Sequence, residues 1–418
     1  MTQLSDDCFE AGGRRMLAAE ALAILKARLD AVVETEMIPL RKAAGRILAE
    51  AIRSPLDVPP HDNTAVDGYA VFFDDLKPEG ETTLPVTARI AAGHPLDRPA
   101  KRGEALRIFT GAPVPPGPDT VFMQEDGAEE ANAVRLPAGI TRGANVRKRG
   151  EDIRRGDIVL TRGRRLRPPD VGLAASLGAE RLRAFKPLRV AVFSTGDEVT
   201  EPGHGLAAGG IYDANRYTLM ALLEGMGCAV TDLGILPDRL ETIREALREA
   251  AGRHDLLFTS GGVSVGEEDH VRAAVTALGR LHFWQLAIKP GRPIALGQVG
   301  RVPFIGLPGN PVAAAVTFLR FARPAILRLA GAESPDPVAY RVKAGFAIKK
   351  KAGRREWIRC RLVRDGAGDR VAERFPREGS GILSSMVESD GLVELPEDMT
   401  KIEVGMAVDF LPYAELMP

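Results

Sequence analysis

The second half of the chain alternates between apolar, strand-like segments and amphipathic, helix-like segments, and this alternation limits the possible folds most strongly. Between residues 187 and 330, short apolar runs such as LRVAVFS, DLLFTS and PFIGL are separated by stretches with helical spacing. A helix between two strands makes a crossover connection, which places the strands parallel in one sheet with helices on both faces. Residues 186–333 are therefore expected to form a doubly wound, parallel-sheet α/β domain.

The rest of the chain divides into three further units, so we predict a multidomain protein of α/β and β structure. Residues 56–146 contain short strand-like runs interrupted by proline and glycine, which indicates an inserted β-rich domain. The flanking residues 14–55 and 147–185 form one discontinuous first domain of mixed helical and extended structure. Residues 334–418 are β-rich again and predict a C-terminal β-domain. Helices outside the α/β domain are expected over residues 14–30, 41–51 and 169–177.

The composition excludes several classes of protein. Lys+Arg and Asp+Glu both number 56 among 418 residues, so the formal net charge is zero and no nucleic-acid partner or membrane partner is expected. No apolar run approaches the 18 residues of a spanning helix, and the first residues lack the apolar core of a secretory signal. Three scattered cysteines cannot form a disulfide framework. We therefore expect a cytoplasmic protein.

Glycine-rich and polar loops follow the strands of the predicted α/β domain. Ligands of open parallel sheets bind at the carboxyl ends of the strands, so these loops are expected to meet there. They are STGDEV at 194–199, PDRL at 237–240, SGGVSVGEED at 260–269, IKPGRP at 288–293 and GLPGNP at 306–311. Glycine amides and free helix N–H groups bind phosphate oxygens, and Lys289 and Arg292 add positive charge.

Three acidic residues in these loops, Glu198, Asp238 and Asp269, indicate a divalent cation. Mg²⁺ prefers carboxylate oxygens beside a phosphate, so the pattern favours a phosphorylated, nucleotide-like substrate with Mg²⁺. The loops lack the Gly-Lys-Ser/Thr ending of a P-loop, and no Gly-x-Gly-x-x-Gly follows the first strand. No His-x-x-His pair supports a zinc hydrolase, and Ser194 and Ser264 have no evident histidine partner for nucleophilic catalysis.

The inserted domain carries a second polar cluster. The segment DNTAVDGYAV places Asp62 and Asp67 around a turn, and RIFTGAPVPPGPDTVFMQED follows with Thr110 before a proline-stiffened loop. Aspartates at such positions also form simple Asx turns. The sequence is compatible with two roles for this loop: it either binds one edge of a ligand or is a stiff connector.

Seven segments in order carry a resemblance to a known family. They are DNTAVDGYA, RIFTGAPVPPGPDTVFMQED, VRKRGEDI, VAVFSTGDEV, GGVSVGEEDH, AIKPGRPIALG and GLPGNPVAAAVTF, spread over residues 62–318. The chain resembles the molybdopterin molybdenumtransferase family, which comprises bacterial MoeA and the C-terminal region of gephyrin. The resemblance implies Mg²⁺-dependent pyrophosphate cleavage of adenylylated molybdopterin, molybdate as the second substrate, and AMP release in the last step of molybdenum cofactor biosynthesis.

The resemblance also implies a homodimer and a set of site residues. Similar proteins combine the α/β domain of one protomer with the inserted domain of its partner. The implied catalytic residues are Asp67, Thr110, Glu198, Asp238 and Asp269, the last three also as Mg²⁺ ligands. The implied substrate-binding residues are Arg147, Ser194, Gly196, Ser260, Gly261, Gly262, Ser264, Lys289, Pro290, Pro308, Gly309, Asn310, Pro311, Arg359 and Ser380. Within that set, the molybdate site is similar to Lys289, Pro290, Arg359 and Ser380.

Two departures and two alternative functions accompany this interpretation. Gln285 and Ala313 stand where some family members carry lysine and serine, which removes one oxyanion contact and one hydroxyl. A molybdopterin adenylyltransferase resembles residues 187–330 alone and would not need the remaining chain; such an enzyme could instead be a partner. A gephyrin-like scaffold without catalysis is the other alternative, which the retained acidic residues disfavour. The sequence does not choose between molybdate and tungstate.

Overall fold

A helix and two short strands begin the part of the chain that the computed structural model describes, namely residues 15–262, 270–291, 293–333 and 336–417. They are α1 Ala18–Arg28, β1 Thr35–Pro39 and β2 Ile52–Arg53. The helix predicted over residues 41–51 is wrong. Only a single 3-10 turn, Leu40–Lys42, precedes Gly45 at a φ of +79°. The chain then pairs with distant segments at Ile47 and Leu48, and this tertiary pairing overrides a weak helical pattern.

The inserted unit is built around a six-stranded sheet. Its strands, with one short flanking strand, are β3 Asn63–Thr64, β4 Gly68–Val71, β5 Thr82–Ile90, β6 Ala105–Ile108, β7 Thr120–Met123, β8 Ala128–Glu130 and β9 Ala133–Leu136. The sheet order is β7-β4-β6-β5-β9-β8, and β3 lies outside it. Apolar side chains cover both faces in two separate clusters, so the inserted unit has a core of its own.

The chain returns from the inserted sheet beside the strands from which it left. The returning elements are β10 Val146–Arg147, β11 Ile158–Leu160, α2 Pro168–Ser176 and β12 Arg181–Phe185. Strand β10 pairs with β3, β11 with β2 and β12 with β1, all antiparallel. These pairings join the two flanking segments into one unit around a small apolar cluster that includes Leu48 and Leu182.

A second six-stranded sheet, flanked by helices on both faces, occupies residues 189–329. Its elements in chain order are β13 Arg189–Thr195, β14 Val199–Thr200, β15 Ile211–Tyr212, α3 Ala214–Gly225, β16 Ala229–Leu236, α4 Leu240–Ala251, β17 Leu256–Ser260, α5 His270–Leu278, β18 Gly279–Gln285, β19 Ile288–Lys289, β20 Pro293–Val299, β21 Val302–Leu307, α6 Pro311–Thr317 and α7 Arg323–Leu329. Five residues of π-helix, Phe318–Ala322, join α6 to α7 into the long helix that the sequence predicts.

The sheet order is β16-β13-β17-β21-β20-β18, and four neighbouring strands run parallel as predicted. Strand β20 departs from this arrangement, because it runs antiparallel to both β21 and β18. Parallel neighbours need a long crossover connection, whereas no helix separates β18, β20 and β21. The doubly wound sheet therefore ends in a short antiparallel extension.

The C-terminal unit is a closed barrel. Its elements are β22 Tyr340–Ala344, β23 Ile348–Lys349, β24 Arg355–Arg364, β25 Arg370–Arg374, α8 Ser384–Val387, β26 Gly391–Leu395, β27 Lys401–Ile402, β28 Ala407–Pro412 and α9 Tyr413–Leu416. Strands β24, β25, β22, β28 and β26 follow one another, and a pairing of β26 with β24 closes the ring. Strand β19 of the α/β unit adds to this barrel, parallel to β24, with Lys289 opposite Glu356.

One apolar cluster joins the α/β unit to the barrel. It contains Ala21 and Leu25 of α1, Ile326 of α7, Trp284 of β18 and Trp357 of the barrel, all almost fully buried. Because one core is shared, the relative positions of the two units are fixed by packing as well as by the β19–β24 pairing. None of the helices in the described ranges is long and apolar enough to cross a membrane.

Candidate functional site

A cavity of about 150 Å³ lies at the carboxyl edge of the α/β sheet. Parallel strands end at the same edge, so Ser194 at the end of β13 and Ser260 at the end of β17 meet the loop that follows β21, which contributes Gly309 and Pro311. Gly196, Gly261 and Gly262 lie in the turns around this cavity. The structure thus brings together three of the five loops that the sequence places there, 194–199, 260–262 and 306–311.

Two glycines of these turns have a positive φ that residues with a side chain rarely adopt. Gly196 has a φ of +131°, and a Cβ on it would lie 2.6 Å from Glu198 Oε2. Gly262 has a φ of +61°, and its Cβ would lie 2.5 Å from Thr195 Oγ1. Glycine tolerates this backbone conformation and leaves main-chain amides accessible at the cavity. Such amides are suited to bind phosphate oxygens.

Asn215, which the sequence analysis missed, connects these loops. Its Nδ2 donates to Ser260 Oγ at 2.8 Å and to the Gly309 carbonyl oxygen at 2.7 Å. Ser260 Oγ in turn donates to the Pro308 carbonyl oxygen at 3.0 Å. The only hydroxyl proton of Ser260 is therefore used within the protein, so Ser260 holds the loops in position. The local signal in the sequence for this role is the position of Asn215, two residues after the helix-capping Asp213.

Arg216 fixes the segment that covers one side of this cavity. Its guanidinium is 1% exposed and contacts three carboxylates: Asp213 at 2.9 Å, and Asp232 and Glu201. Burial lowers the pKa of Arg216, but hydrogen bonds with Asp213 and Asp232 outweigh burial and raise it above its ordinary value. Arg216 is thus permanently charged, and it ties the start of α3 to β16 and to the loop after β14.

The predicted metal ligands are only partly brought together. Glu198 lines the cavity, whereas Asp238 lies at the end of the neighbouring strand β16 and does not line it. Asp269 and Ser264 lie outside the described residues, as does Arg292. Within the described ranges, no three His, Cys, Asp or Glu side chains form a metal-binding group. Mg²⁺ commonly uses one or two carboxylates together with substrate phosphates, so Glu198 at this cavity fits such an ion.

A second cavity of about 260 Å³ lies between the α/β unit and the barrel. Lys289, Pro290, Arg359 and Ser380, which the sequence analysis groups into an oxyanion site, all line it. The β19–β24 pairing carries Lys289 to the barrel, and Val312 N donates to the Ser380 carbonyl oxygen at 2.8 Å across the same junction. The structure therefore assembles these four residues from segments far apart in the sequence.

Four more charged residues line this second cavity and were missed: Arg374, Arg377, Glu356 and Glu378. Arg374 is the last residue of β25, Arg377 and Glu378 follow that strand, and Glu356 lies on β24. No local pattern distinguishes them from surface charges. Lys289 Nζ lies 3.8 Å from a carboxylate oxygen of both Glu356 and Glu378.

Arg359 is a half-buried residue of the cavity wall. Its Nε donates to Ser385 Oγ at 3.0 Å, and its Nη2 donates to the Gly379 carbonyl oxygen at 3.2 Å. Burial lowers the pKa of Arg359 from the ordinary value of an arginine. Positive charge is thus held in a partly dry pocket, where it attracts an anion more strongly than it would in water.

The two departures from the family pattern lie outside both cavities. Gln285 is exposed at the end of β18, and Ala313 is buried within α6. Neither residue lines the cavity at the sheet edge or the cavity at the barrel.

The predicted residues Asp67 and Thr110 of the inserted unit are joined by hydrogen bonds. Asp67 Oδ1 accepts hydrogen bonds from Thr110 N at 2.7 Å and from Thr110 Oγ1 at 2.6 Å. These bonds, the hydroxyl first, lower the pKa of Asp67. Arg147 is exposed in β10. Among the described residues, none of the inserted unit lines either cavity, and neither does Arg147.

Comparisons with known families agree with this architecture. A model of the MoeA N-terminal region (domain I and II) matches residues 16–178, a probable molybdopterin binding domain matches 191–328, and the MoeA C-terminal region (domain IV) matches 341–413. These matches place the chain in the class of molybdopterin-binding biosynthetic proteins.

Individual relatives narrow this class. The chain is 39% identical to a molybdopterin molybdenumtransferase of Haemophilus influenzae, over 92% of this chain and 95% of that protein. It is 35% identical to a molybdopterin molybdenumtransferase of a Nostoc species, over 91% of this chain and 89% of that protein. The crystal structure of a molybdopterin biosynthesis moeA protein from Pyrococcus horikoshii OT3 superposes with a TM-score of 0.81 at 30% identity, covering 96% of this chain and all of that one. The chain belongs to the MoeA family, and the family resemblance seen in its motifs is confirmed.

Proposed function

We propose that this protein inserts molybdenum into adenylylated molybdopterin and releases AMP, which is the last step of molybdenum cofactor biosynthesis. The observation that carries the proposal is a pair of cavities with complementary chemistry. One is lined by glycine-rich turns and the carboxylates of Glu198 and Asp213, which suit a pyrophosphate with its Mg²⁺. The other is lined by three arginines and a lysine, which suit an oxyanion. The curated relatives named as molybdopterin molybdenumtransferases support the same reaction.

In the cavity at the sheet edge, the protein would orient the pyrophosphate of the substrate. Main-chain amides of the turns at Gly196 and Gly262 would bind phosphate oxygens, while Asn215 holds the loop of Ser260 to the loop of Gly309. Glu198 would hold Mg²⁺, with Asp238 or Asp269 as the further carboxylate. Bound Mg²⁺ would neutralise charge that develops on the phosphate oxygens as the pyrophosphate bond breaks.

In the cavity at the barrel, the protein would bind molybdate. Molybdate is a dianion, and charge-assisted hydrogen bonds from Lys289, Arg359 and Ser380 are suited to its oxygen atoms. Molybdate and adenylylated molybdopterin would thus be held by different residues of the protein.

An assay of AMP release tests the proposed reaction. The purified full chain is incubated with adenylylated molybdopterin and Mg²⁺, together with molybdate or tungstate. We expect AMP to appear only when Mg²⁺ and one of the oxyanions are both present, and the two oxyanion arms show which one is preferred. No AMP with either oxyanion would contradict the proposal. In a separate incubation with ATP and molybdopterin, formation of adenylylated molybdopterin with release of pyrophosphate would instead identify an adenylyltransferase, and neither activity would point to a scaffold.

Arg359→Ala tests whether the two cavities bind different substrates. Removing a hydrogen bond to a charged group costs about 1.5–3 kcal/mol, so molybdate affinity should fall roughly 10- to 100-fold. Binding of adenylylated molybdopterin should remain nearly unchanged, since other loops hold it. Arg361→Ala, an exposed arginine on the same strand, is the matched control. Both affinities can be measured by titration calorimetry, and unchanged molybdate affinity, or loss of both affinities together, would refute the assignment.

We also propose a cytoplasmic homodimer in which the partner's Asp67, the partner's Thr110 and the partner's Arg147 complete the site. The support is that none of these residues lines either cavity within one protomer. Light scattering at micromolar concentration should give twice the mass of the 44.9 kDa chain. A fully active monomer would exclude a shared site. A molybdopterin adenylyltransferase, which would supply the substrate, is proposed as a further partner.

A further inference from the structure

The cavity at the barrel contains negative charge as well as positive charge. Of the described residues that line it, Lys289, Arg359, Arg374 and Arg377 are cations, and Glu356 and Glu378 are carboxylates. A carboxylate and an oxyanion carry the same sign of charge and accept hydrogen bonds from the same donors. The two glutamates therefore oppose the binding of an anion unless the side chain of one of them can turn out of the cavity.

The two glutamates differ in how firmly they are held. Glu356 is 3% exposed, belongs to β24, and accepts a hydrogen bond at 2.7 Å from Arg354 Nε. Its charge is balanced by Arg354, which does not line the cavity. Glu378 is 58% exposed and lies in the segment between β25 and α8. One of its carboxylate oxygens contacts Arg374, and the other lies 3.8 Å from Lys289 Nζ. Glu378 thus bridges two of the four cations.

Only the side chain of Glu378 would need to move to free those cations. The main chain directly after it is anchored, because the Gly379 carbonyl oxygen accepts from Arg359 and the Ser380 carbonyl oxygen accepts from Val312 N. An exposed glutamate can turn into water by rotation about its side-chain bonds, whereas movement of the buried Glu356 would break its ion pair with Arg354.

We propose that Glu378 is an internal competitor for the oxyanion site, a carboxylate that occupies Lys289 and Arg374 and must turn away when a dianion binds. This inference rests on the proposed function, since it takes the cavity as the oxyanion site. Glu378 carries one negative charge, which Lys289 and Arg374 share. A monoanion that replaces it restores only that charge, whereas a dianion brings a second one and is attracted more strongly by both cations. Glu378 therefore favours doubly charged over singly charged anions, and acts as a specificity-determining residue.

Titration of the full-length protein with sodium molybdate alone tests this inference. Glu378→Gln keeps the size of the side chain and removes its charge. Exposed ion pairs contribute about 0.2–1 kcal/mol each, so the loss of two competing pairs should tighten molybdate binding roughly two- to thirtyfold. Glu373→Gln is the matched control, because Glu373 is an exposed glutamate of β25 that does not line the cavity. It makes the same change in net charge, and its affinity should stay within about twofold of wild type.

Each other outcome overturns the inference in a distinct way. Equal or weaker molybdate binding by Glu378→Gln would show that the carboxylate does not compete. Equal tightening in Glu378→Gln and Glu373→Gln would show that only net charge matters. If neither the wild type nor the variants bind molybdate although the wild type releases AMP, the cavity is not an independent oxyanion site and the proposed function stands. If AMP release is absent as well, the proposed function fails with it.

Discussion

Replacing Arg216 by methionine removes the single charge that three carboxylates share at the start of α3. Removing one partner of a buried ion pair costs about 3–5 kcal/mol, because the other partner is left buried and uncompensated. Here Glu201 and Asp232 are 36% and 40% exposed, so water can replace the guanidinium there and their share is small. Asp213 is 3% exposed, but it keeps the hydrogen bond from the main-chain N–H of residue 216.

These contributions place the expected loss at the lower end of that range, at about 3 kcal/mol. Hydrogen exchange of the α3 amides in increasing urea measures the local free energy of unfolding directly, which avoids assuming that four units unfold together. Arg244→Met is the matched control, because Arg244 also pairs with an acidic residue three positions earlier, Glu241, but the two side chains are 35% and 63% exposed. Its loss should be about 0.3–0.5 kcal/mol.

A loss below about 1 kcal/mol in Arg216→Met, or a loss equal to that of Arg244→Met, would refute the reasoning from burial. The activity of Arg216→Met provides a second readout. Because Arg216 holds the segment beside the cavity through Glu201, AMP release should fall in this variant even in conditions where α3 remains folded.

Two further predictions concern the inserted unit and α2. The hydrogen bond from Arg98 lowers the pKa of the buried Glu104 from 4.5 to about 2, so its contribution to stability is complete above pH 4.5 and is lost as the pH falls toward 2. Acid unfolding followed by circular dichroism should therefore be less steep between pH 4.5 and pH 2 in Glu104→Gln, and an identical profile would contradict this. Gly68→Ala should lower the melting temperature, since its Cβ would lie 1.7 Å from the Phe122 carbonyl oxygen. Gly172→Ala meets no atom within 4 Å in α2 and should stabilise by about 0.5–1 kcal/mol; equal melting temperatures for the two variants would argue against the steric reason.

Local patterns in the sequence were sufficient for much of the α/β unit. The helix Leu240–Ala251 begins and ends where the spacing of apolar residues places it, and Asp213 caps α3 as its position before a periodic segment indicates. The glycine-rich loops could be placed at one edge because parallel strands all end there. Ser194, Ser260 and Gly309 therefore met as expected.

Features that depend on contacts between distant segments cannot be predicted from local sequence patterns. The antiparallel direction of β20 follows from short connections that look like loops between predicted parallel strands. Asn215 contacts residues 45 and 94 positions away, and no spacing rule covers such contacts. Glu378 and Arg374 resemble ordinary surface charges until β19 pairs with β24 and brings Lys289 beside them. Only the family resemblance indicates that Arg359 belongs to the oxyanion site, because the pattern of its strand is equally that of a solvent-facing residue.

The strand β19 consists of only two residues, yet it belongs in chain order to the α/β unit and in hydrogen bonding to the barrel. An oxyanion held between Lys289 and Arg359 would therefore be bound by two structural units at once, the α/β unit and the barrel. Ligand that binds only the joined arrangement stabilises that arrangement by its own binding free energy. The affinity for the oxyanion and the free energy of docking the barrel would then be linked quantities, so that a mutation anywhere along the junction could weaken oxyanion binding without touching a residue of the cavity.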